Sequence, residues 1–306
     1  MDLYDQIARN RRRSALLLAA FALLVGLTVA AVGTLVRAGP VIVPIAVVIA
    51  VVSAWVSYWS SDRIALAVSR ARPAEGPEFK RYHNLVEGLC IAAGLPKPRL
   101  YVIDDPAPNA FATGRNPRHA ALAVTTGLLE KMNRVELEGV LAHELSHIRN
   151  ADILVSTLAV TAVGIVVLLA DLALRLLWFG GPRRRDRGGG SPFGWLLGLG
   201  ALVLLLLAPL VARLMQFAVS RRREYLADAS AVALTRYPPG LIAALEKLRD
   251  DHTVVASASR ATAQLWIESP LERGRTAETP KRGTWLNRAF DTHPPLEDRI
   301  AALRAM

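Results

Sequence analysis

Val140-Leu-Ala-His-Glu-Leu-Ser-His-Ile148 is the stretch on which the reading of this chain turns. Its apolar positions recur at helical spacing, and on a helix residues four apart leave the same face, so the imidazoles of His143 and His147 point the same way. Glu144 sits about a quarter-turn round, within reach of a water brought to a metal held by the two rings. Val140, Leu141, Leu145 and Ile148 give the helix an apolar face that can be buried, and a metal site needs its ligands on a rigid element. Two histidines as zinc ligands with a carboxylate beside them is the arrangement of a zinc hydrolase.

A catalytic zinc takes a third protein ligand and keeps its fourth position open. The best donor downstream lies in Arg221-Arg-Arg-Glu-Tyr-Leu-Ala-Asp228, where Glu224 and Asp228 are one helical turn apart. In one reading Glu224 is the ligand, and Asp228 accepts the free N–H of a ligand histidine and fixes its tautomer. In the other, both acids only neutralise Arg221, Arg222 and Arg223 at a membrane surface. Spacing alone leaves the two level.

Of the 306 residues 52% are apolar, which points to membrane insertion. Four apolar stretches are long enough to span a bilayer: Ala15–Val36, Val41–Trp59, Ile153–Trp178 and Phe193–Val219. The first is too long for a signal peptide and no small-residue cleavage site follows it, so it reads as a retained anchor. The second ends in Trp55, Tyr58 and Trp59, aromatics suited to the headgroup region, before Asp62 and Arg63 mark the return to water. The net charge of +11 comes mainly from arginines flanking these stretches, which orient helices or meet anionic lipid, so nucleic-acid binding is not expected. Cys90 is the single cysteine, which excludes a disulfide framework and a cysteine zinc site.

Between the stretches, Glu78–Ala93 reads as a helix stopped by Gly94, and Arg99–Ile103 and Ala121–Thr125 as strands around a turn-rich segment. Helices follow at about 134–150, 220–233 and 241–249, with another after the Pro294-Pro295 pair; Asp251–Lys281 is polar and reads as loose. The expected fold is mainly α with a small β-sheet (α+β), carried on two apolar helical hairpins. The expected divisions are 1–60, a transmembrane hairpin; 61–152, the first part of the catalytic domain; 153–219, a second hairpin with a basic loop; and 220–306, the second part. Arg11–Arg13 put the amino terminus and the His-Glu segment on the cytoplasmic side, yet Arg183, Arg184, Arg185 and Arg187 would then lie outside, against the same rule.

His143-Glu-Leu-Ser-His147, Glu224-Tyr-Leu-Ala-Asp228 and Thr292-His-Pro-Pro-Leu-Glu-Asp-Arg299, in that order and with an apolar hairpin between the first two, resemble the M48 zinc metallopeptidases, in particular their HtpX-like bacterial membrane members. Asn109-Ala-Phe-Ala-Thr-Gly114 matches a further segment, and the likeness runs from Ala15 to Arg299. The resemblance implies one zinc per chain on His143, His147 and Glu224, with Glu144 as general base. It further implies a multi-pass protein of the bacterial inner membrane, facing the cytoplasm, that degrades damaged or misassembled membrane proteins in quality control under stress.

His293 and Arg299 are candidate catalytic donors to the oxyanion, since the resemblance places their segment near the metal; read alone they are a helix start and a solvated helix face. Asn109, Ala110, Phe111, Ala112, Thr113 and Gly114 form a candidate edge whose main chain pairs with a substrate strand, a recognition mode that tolerates many sequences. The expected partners are membrane-protein substrates and the lipid bilayer. Two other functions share these features. One is a CAAX-type peptidase processing prenylated carboxy-terminal ends, against which four apolar stretches in place of a larger helical chamber argue. The other is a silent zinc-bearing scaffold, against which retention of Glu144 argues.

Overall fold

The computed structural model describes residues 8, 10, 12–23, 25–26, 40–158, 221–255, 265–268 and 294–306. Helix α1, Ile42–Val68, is 27 residues long, or about 40 Å. Over most of its length Val43, Val47, Val51, Trp55 and their neighbours face outward, and its window of mean hydropathy 1.8 is only 17% buried. An apolar helix with its apolar side chains outward is one whose solvent is lipid. Among the described residues it is the one helix long and apolar enough to cross a membrane. The first expected span is described as helix at 12–23 and 25–26, and the third and fourth lie almost wholly outside the described residues.

The expected division at residue 60 falls inside α1, which continues unbroken into the globular part. Its last turns bury Ser61, Ala65 and Leu66, and Asp62 pairs with Arg99 at 2.5 Å. These turns pack on a four-stranded sheet of β1 (Arg72–Pro73), β2 (Arg99–Ile103), β3 (Ala110–Gly114) and β4 (Ala120–Thr125), in the order β1-β2-β4-β3. The β2–β4 pair is parallel, and β1–β2 and β3–β4 are antiparallel. Period-two alternation splits the strands between two cores. Ile103, Phe111, Ala121 and Ala123 meet α1 and Trp266, while Leu100, Val102, Ala110, Ala112, Leu122 and Val124 meet the helices on the other face.

Those helices are α2 (Lys80–Ala93), α4 (Arg134–Arg149) and α6 (Pro238–Asp250), with α3 (Thr126–Lys131) leading into α4. Gly94 at φ 64° ends α2 as expected. Asn133 caps α4 by accepting from Val135 N–H and Glu136 N–H, and the Glu136 side chain accepts from Asn133 N–H in return, so the helix entry is doubly satisfied. Gly139 lets α6 close on α4, because a Cβ there would lie 2.8 Å from the Leu241 backbone nitrogen. Helices α5 (Arg221–Thr235) and α7 (Leu296–Arg304) pack against α4 and α6 respectively.

Two expectations need correction. Strand β3 lies within the stretch read as turn-rich, and its five residues are all buried. Part of the segment read as loose is packed: Trp266 has no exposed surface and stands edge-on to Phe111 at 5.0 Å, and Ile267 N–H donates to Ala110 C=O at 3.0 Å. The apolar triplet Leu265-Trp-Ile267 inside a polar stretch was the signal for it. Cys90 is buried on α2, as expected of a small core residue, and burial pushes its thiol up.

Candidate metal centre and active site

Helix α4 brings His143 and His147 to one face, and α5 crosses it to bring Glu224 opposite them. One ligand atom from each lies within 4.8 Å of the others. The two Nε2 atoms are 3.2 Å apart, His143 Nε2 is 3.7 Å from Glu224 Oε2, and His147 Nε2 is 3.7 Å from Glu224 Oε1. Zinc bonds of about 2.0–2.1 Å in a tetrahedron require ligand separations of about 3.3 Å, so the donors already stand near coordination distance.

The hydrogen bonds behind the rings make the same case. His143 Nδ1 lies 2.8 Å from Asp228 Oδ1, and His147 Nδ1 lies 3.3 Å from Asp152 Oδ2. With each Nδ1 donating to its carboxylate, both Nε2 atoms are turned toward each other and toward Glu224. Two ring nitrogens at that distance need a proton or a metal ion between them, and with Glu224 completing the set of donors these residues fit a zinc ion. Glu224 and Asp228 therefore face the histidines, and the surface-neutralisation reading of the two acids does not describe their contacts. Arg223, buried, turns instead toward Asp152 at 3.5 Å.

Arg299, from α7, is fully buried and grips Asp228 with two bonds, Nε to Oδ2 at 2.9 Å and Nη2 to Oδ1 at 2.6 Å. Its Nη1 donates to Ile267 C=O at 3.2 Å and stands 3.7 Å from Glu224. The guanidinium thus holds Asp228 behind His143, and its Nη2 also lies 3.3 Å from His143 Nδ1 and 3.4 Å from His143 Nε2. Burial alone would push the Asp228 carboxyl up, but Arg299 and His143 outweigh it and hold it at about 2. Burial and Arg299 both push His143 down, yet Asp228 and Glu224 prevail and hold the metal-free ring at about 9. Burial likewise pulls Arg299 down, and Asp228 with the other acids raises it above its usual value. His293, the other expected donor, lies outside the described residues.

Glu144 is buried beside the ligands, and burial raises its carboxyl above the usual range against the pull of His143 and His147. Strand β3 is the sheet edge nearest α4. Thr125 N–H donates to Asn109 C=O, so by alternation Phe111 and Thr113 also face β4, and Ala110, Ala112 and Gly114 face outward. Ile267 takes Ala110 C=O, and the hydroxyl of Thr157 accepts from Gly114 N–H at 3.3 Å.

Sequence reasoning missed Asp152. It is an acid five residues past His147, made effective by a left-handed residue between them: Ala151, at φ 57°, ends the turn after α4 and folds the chain back, and residues 152–158 resume as helix. A non-glycine residue in this region costs about 1 kcal/mol or more, strain of a kind that gathers at functional sites.

A pair of histidines on one helix, one enclosed and one partly exposed, with a glutamate from a second helix and a carboxylate behind each ring, defines a metallopeptidase-type centre. The chain belongs to peptidase family M48, whose sequence profile matches residues 77–306. It is 41% identical over 303 residues to "Protease HtpX homolog" of Dictyoglomus thermophilum, covering 99% of this chain and 94% of that one. The protein of the same name from Streptococcus gordonii is 42% identical over 306 residues, covering 99% and 100%. The crystal structure of S. mikatae Ste24p is a more distant likeness, with a TM-score of 0.46 and 21% identity over 84% of this chain and 57% of that one.

Proposed function

We propose that the protein is a zinc-dependent endopeptidase of the bacterial cytoplasmic membrane that cleaves damaged or misfolded membrane proteins from the cytoplasmic side. The observation that carries this reading is the convergence of His143, His147 and Glu224 at near-tetrahedral spacing, with carboxylates fixing both rings. Zinc held there supplies a Lewis acid that polarises the scissile carbonyl and acidifies the attacking water. Glu144 takes the proton from that water and passes it to the leaving amide nitrogen; burial raises its carboxyl, the direction that helps it hold the proton between the two transfers. Asp228 and Asp152 hold the Nδ1 hydrogens, and Arg299 holds Asp228.

The substrate adds a strand to the edge of β3, within the candidate run Asn109–Gly114, and the rung it uses is the outward peptide of Ala112, between the rungs held by Ile267 and Thr157. Main-chain pairing of this kind accepts many sequences, as clearance of damaged proteins requires. In this arrangement residues 1–60 and 153–219 are the membrane hairpins that carry a catalytic unit made of 61–152 and 220–306. The continuous α1 ties that unit to the bilayer surface, so the site meets chain segments just leaving the membrane.

The test is cleavage by purified full-length protein in vesicles, with a membrane protein supplied folded or destabilised. The expected result is internal cleavage of the destabilised form, abolished by chelation and restored by zinc. Cleavage confined to prenylated carboxy-terminal ends, or insensitive to both chelation and Glu144→Gln, overturns the reading.

A further inference from the structure

The two ligand histidines are held in parallel ways. Behind His143 stand Asp228 and then Arg299, from α7. Behind His147 stands Asp152, whose Oδ1 accepts from Asn10 Nδ2 at 2.6 Å and lies 3.5 Å from Arg223 Nη1. Asn10 Nδ2 also donates to Asn150 C=O at 3.0 Å, so one amide ties both ends of the Asn150–Asp152 turn. Asn10 is 1% exposed and Asp152 2% exposed, although Asn10 lies among the arginines at the start of the first apolar stretch, where a solvated residue would be expected. Ser14, one turn further along that helix, is buried as well, so the face that meets the catalytic unit here is polar.

We infer that Asn10 is a positioning residue of the metal centre: through Asp152 it sets the ring of His147, which makes the helix that precedes α1, described at 12–23, a working part of the site as well as an anchor. This rests on the reading of His143, His147 and Glu224 as zinc ligands. The physical reason is freedom. The side chain of His147 is 16% exposed while that of His143 is fully enclosed, so packing constrains His147 less and its orientation depends more on the Nδ1 partner. Asp152 is carried on a strained turn, and a carboxylate is a useful orienting group only if its own rotamer is fixed. Asn10, at 2.6 Å, lies closer to that carboxylate than His147 at 3.3 Å or Arg223 at 3.5 Å.

The experiment measures the zinc dissociation constant of the full-length protein in detergent by competition with a chromophoric chelator, alongside the melting temperature of the metal-free form. Asp152→Ala weakens zinc by about 10- to 100-fold. Asn10→Ala weakens it by about five- to tenfold, the worth of one hydrogen bond. Asn10→Ser keeps a polar group at the interface but is too short to reach Asp152, and gives the same loss. The double variant Asn10→Ala/Asp152→Ala binds zinc no more weakly than Asp152→Ala alone, because Asn10 acts through Asp152. Zinc affinity unchanged in both Asn10 variants overturns the inference, even where melting temperature falls, since that is the outcome of a merely structural contact. Losses that add in full in the double variant also overturn it. A wild-type protein that holds no zinc overturns the ligand assignment itself, and is told apart by needing no variant.

Discussion

Replacing Arg299 by methionine removes the one cation that meets Asp228 with two hydrogen bonds while keeping most of the side chain's bulk. Arg299 has no exposed surface and Asp228 is 1% exposed, so the carboxylate left behind cannot be hydrated. Breaking a buried ion pair by removing one partner costs about 3–5 kcal/mol. The Asp228 carboxyl gives an independent scale: its fall from 3.8 to about 2 corresponds to roughly 2–3 kcal/mol of stabilisation of the charged form. Because the folded value lies below the unfolded one, this contribution is complete above about pH 4 and is lost as pH falls toward 2. In a catalytic unit of this size, 3–5 kcal/mol lowers the melting temperature by about 10 °C or more. Thermal unfolding of the metal-free protein in detergent at pH 7.5 measures this for Arg299→Met and for Arg299→Met with Asp228→Leu. The double variant should regain part of the loss, since it removes the buried carboxylate that Arg299→Met leaves without its main partner. A single variant as stable as wild type, or a double variant worse than the single, refutes the reasoning.

Other outcomes follow from local geometry. Removing zinc with a chelator should lower the melting temperature of wild type and leave Glu224→Ala nearly unmoved, because only the former gains stability from bound metal. Ala151→Gly should raise stability by about 0.5–1 kcal/mol, read by thermal unfolding, since glycine holds a left-handed φ without the Cβ penalty. Gly139→Ala should cost about 1–3 kcal/mol by the same measurement, because the new Cβ meets the backbone of Leu241 and α4 and α6 must separate.

The elements with a strong local signal were legible in the sequence. Asn133 followed three residues later by Glu136 marks the start of α4, and the observed α4 begins at Arg134. Gly94 marks the end of α2, and Arg99–Ile103 was readable as a strand from its β-branched and aromatic residues. Strand β3 was legible only in part: Asn109–Gly114 reads as an extended edge, but the prolines around it hid its pairing with β4 and the burial of all five residues of the strand. At the site, the helical spacing of His143, Glu144 and His147 and of Glu224 and Asp228 reads directly from the chain. Asp152 and Asn10 could not be read so, since their pairing joins segments 142 residues apart and depends on a left-handed alanine no pattern announces. The role of Arg299 was half legible: its presence near the metal followed from the motif it sits in, but its direction depends on how α7 docks behind α5.

The most direct test of the account is a paired measurement of bound zinc and proteolysis on purified Glu144→Gln and Glu224→Ala. Glu144 is assigned to proton transfer and Glu224 to the metal, so Glu144→Gln should hold one zinc per chain as wild type does while cleavage falls below detection. Glu224→Ala should lose both together. A Glu224→Ala protein that keeps a full equivalent of zinc at wild-type affinity, or a Glu144→Gln protein that still cleaves, contradicts the assignment.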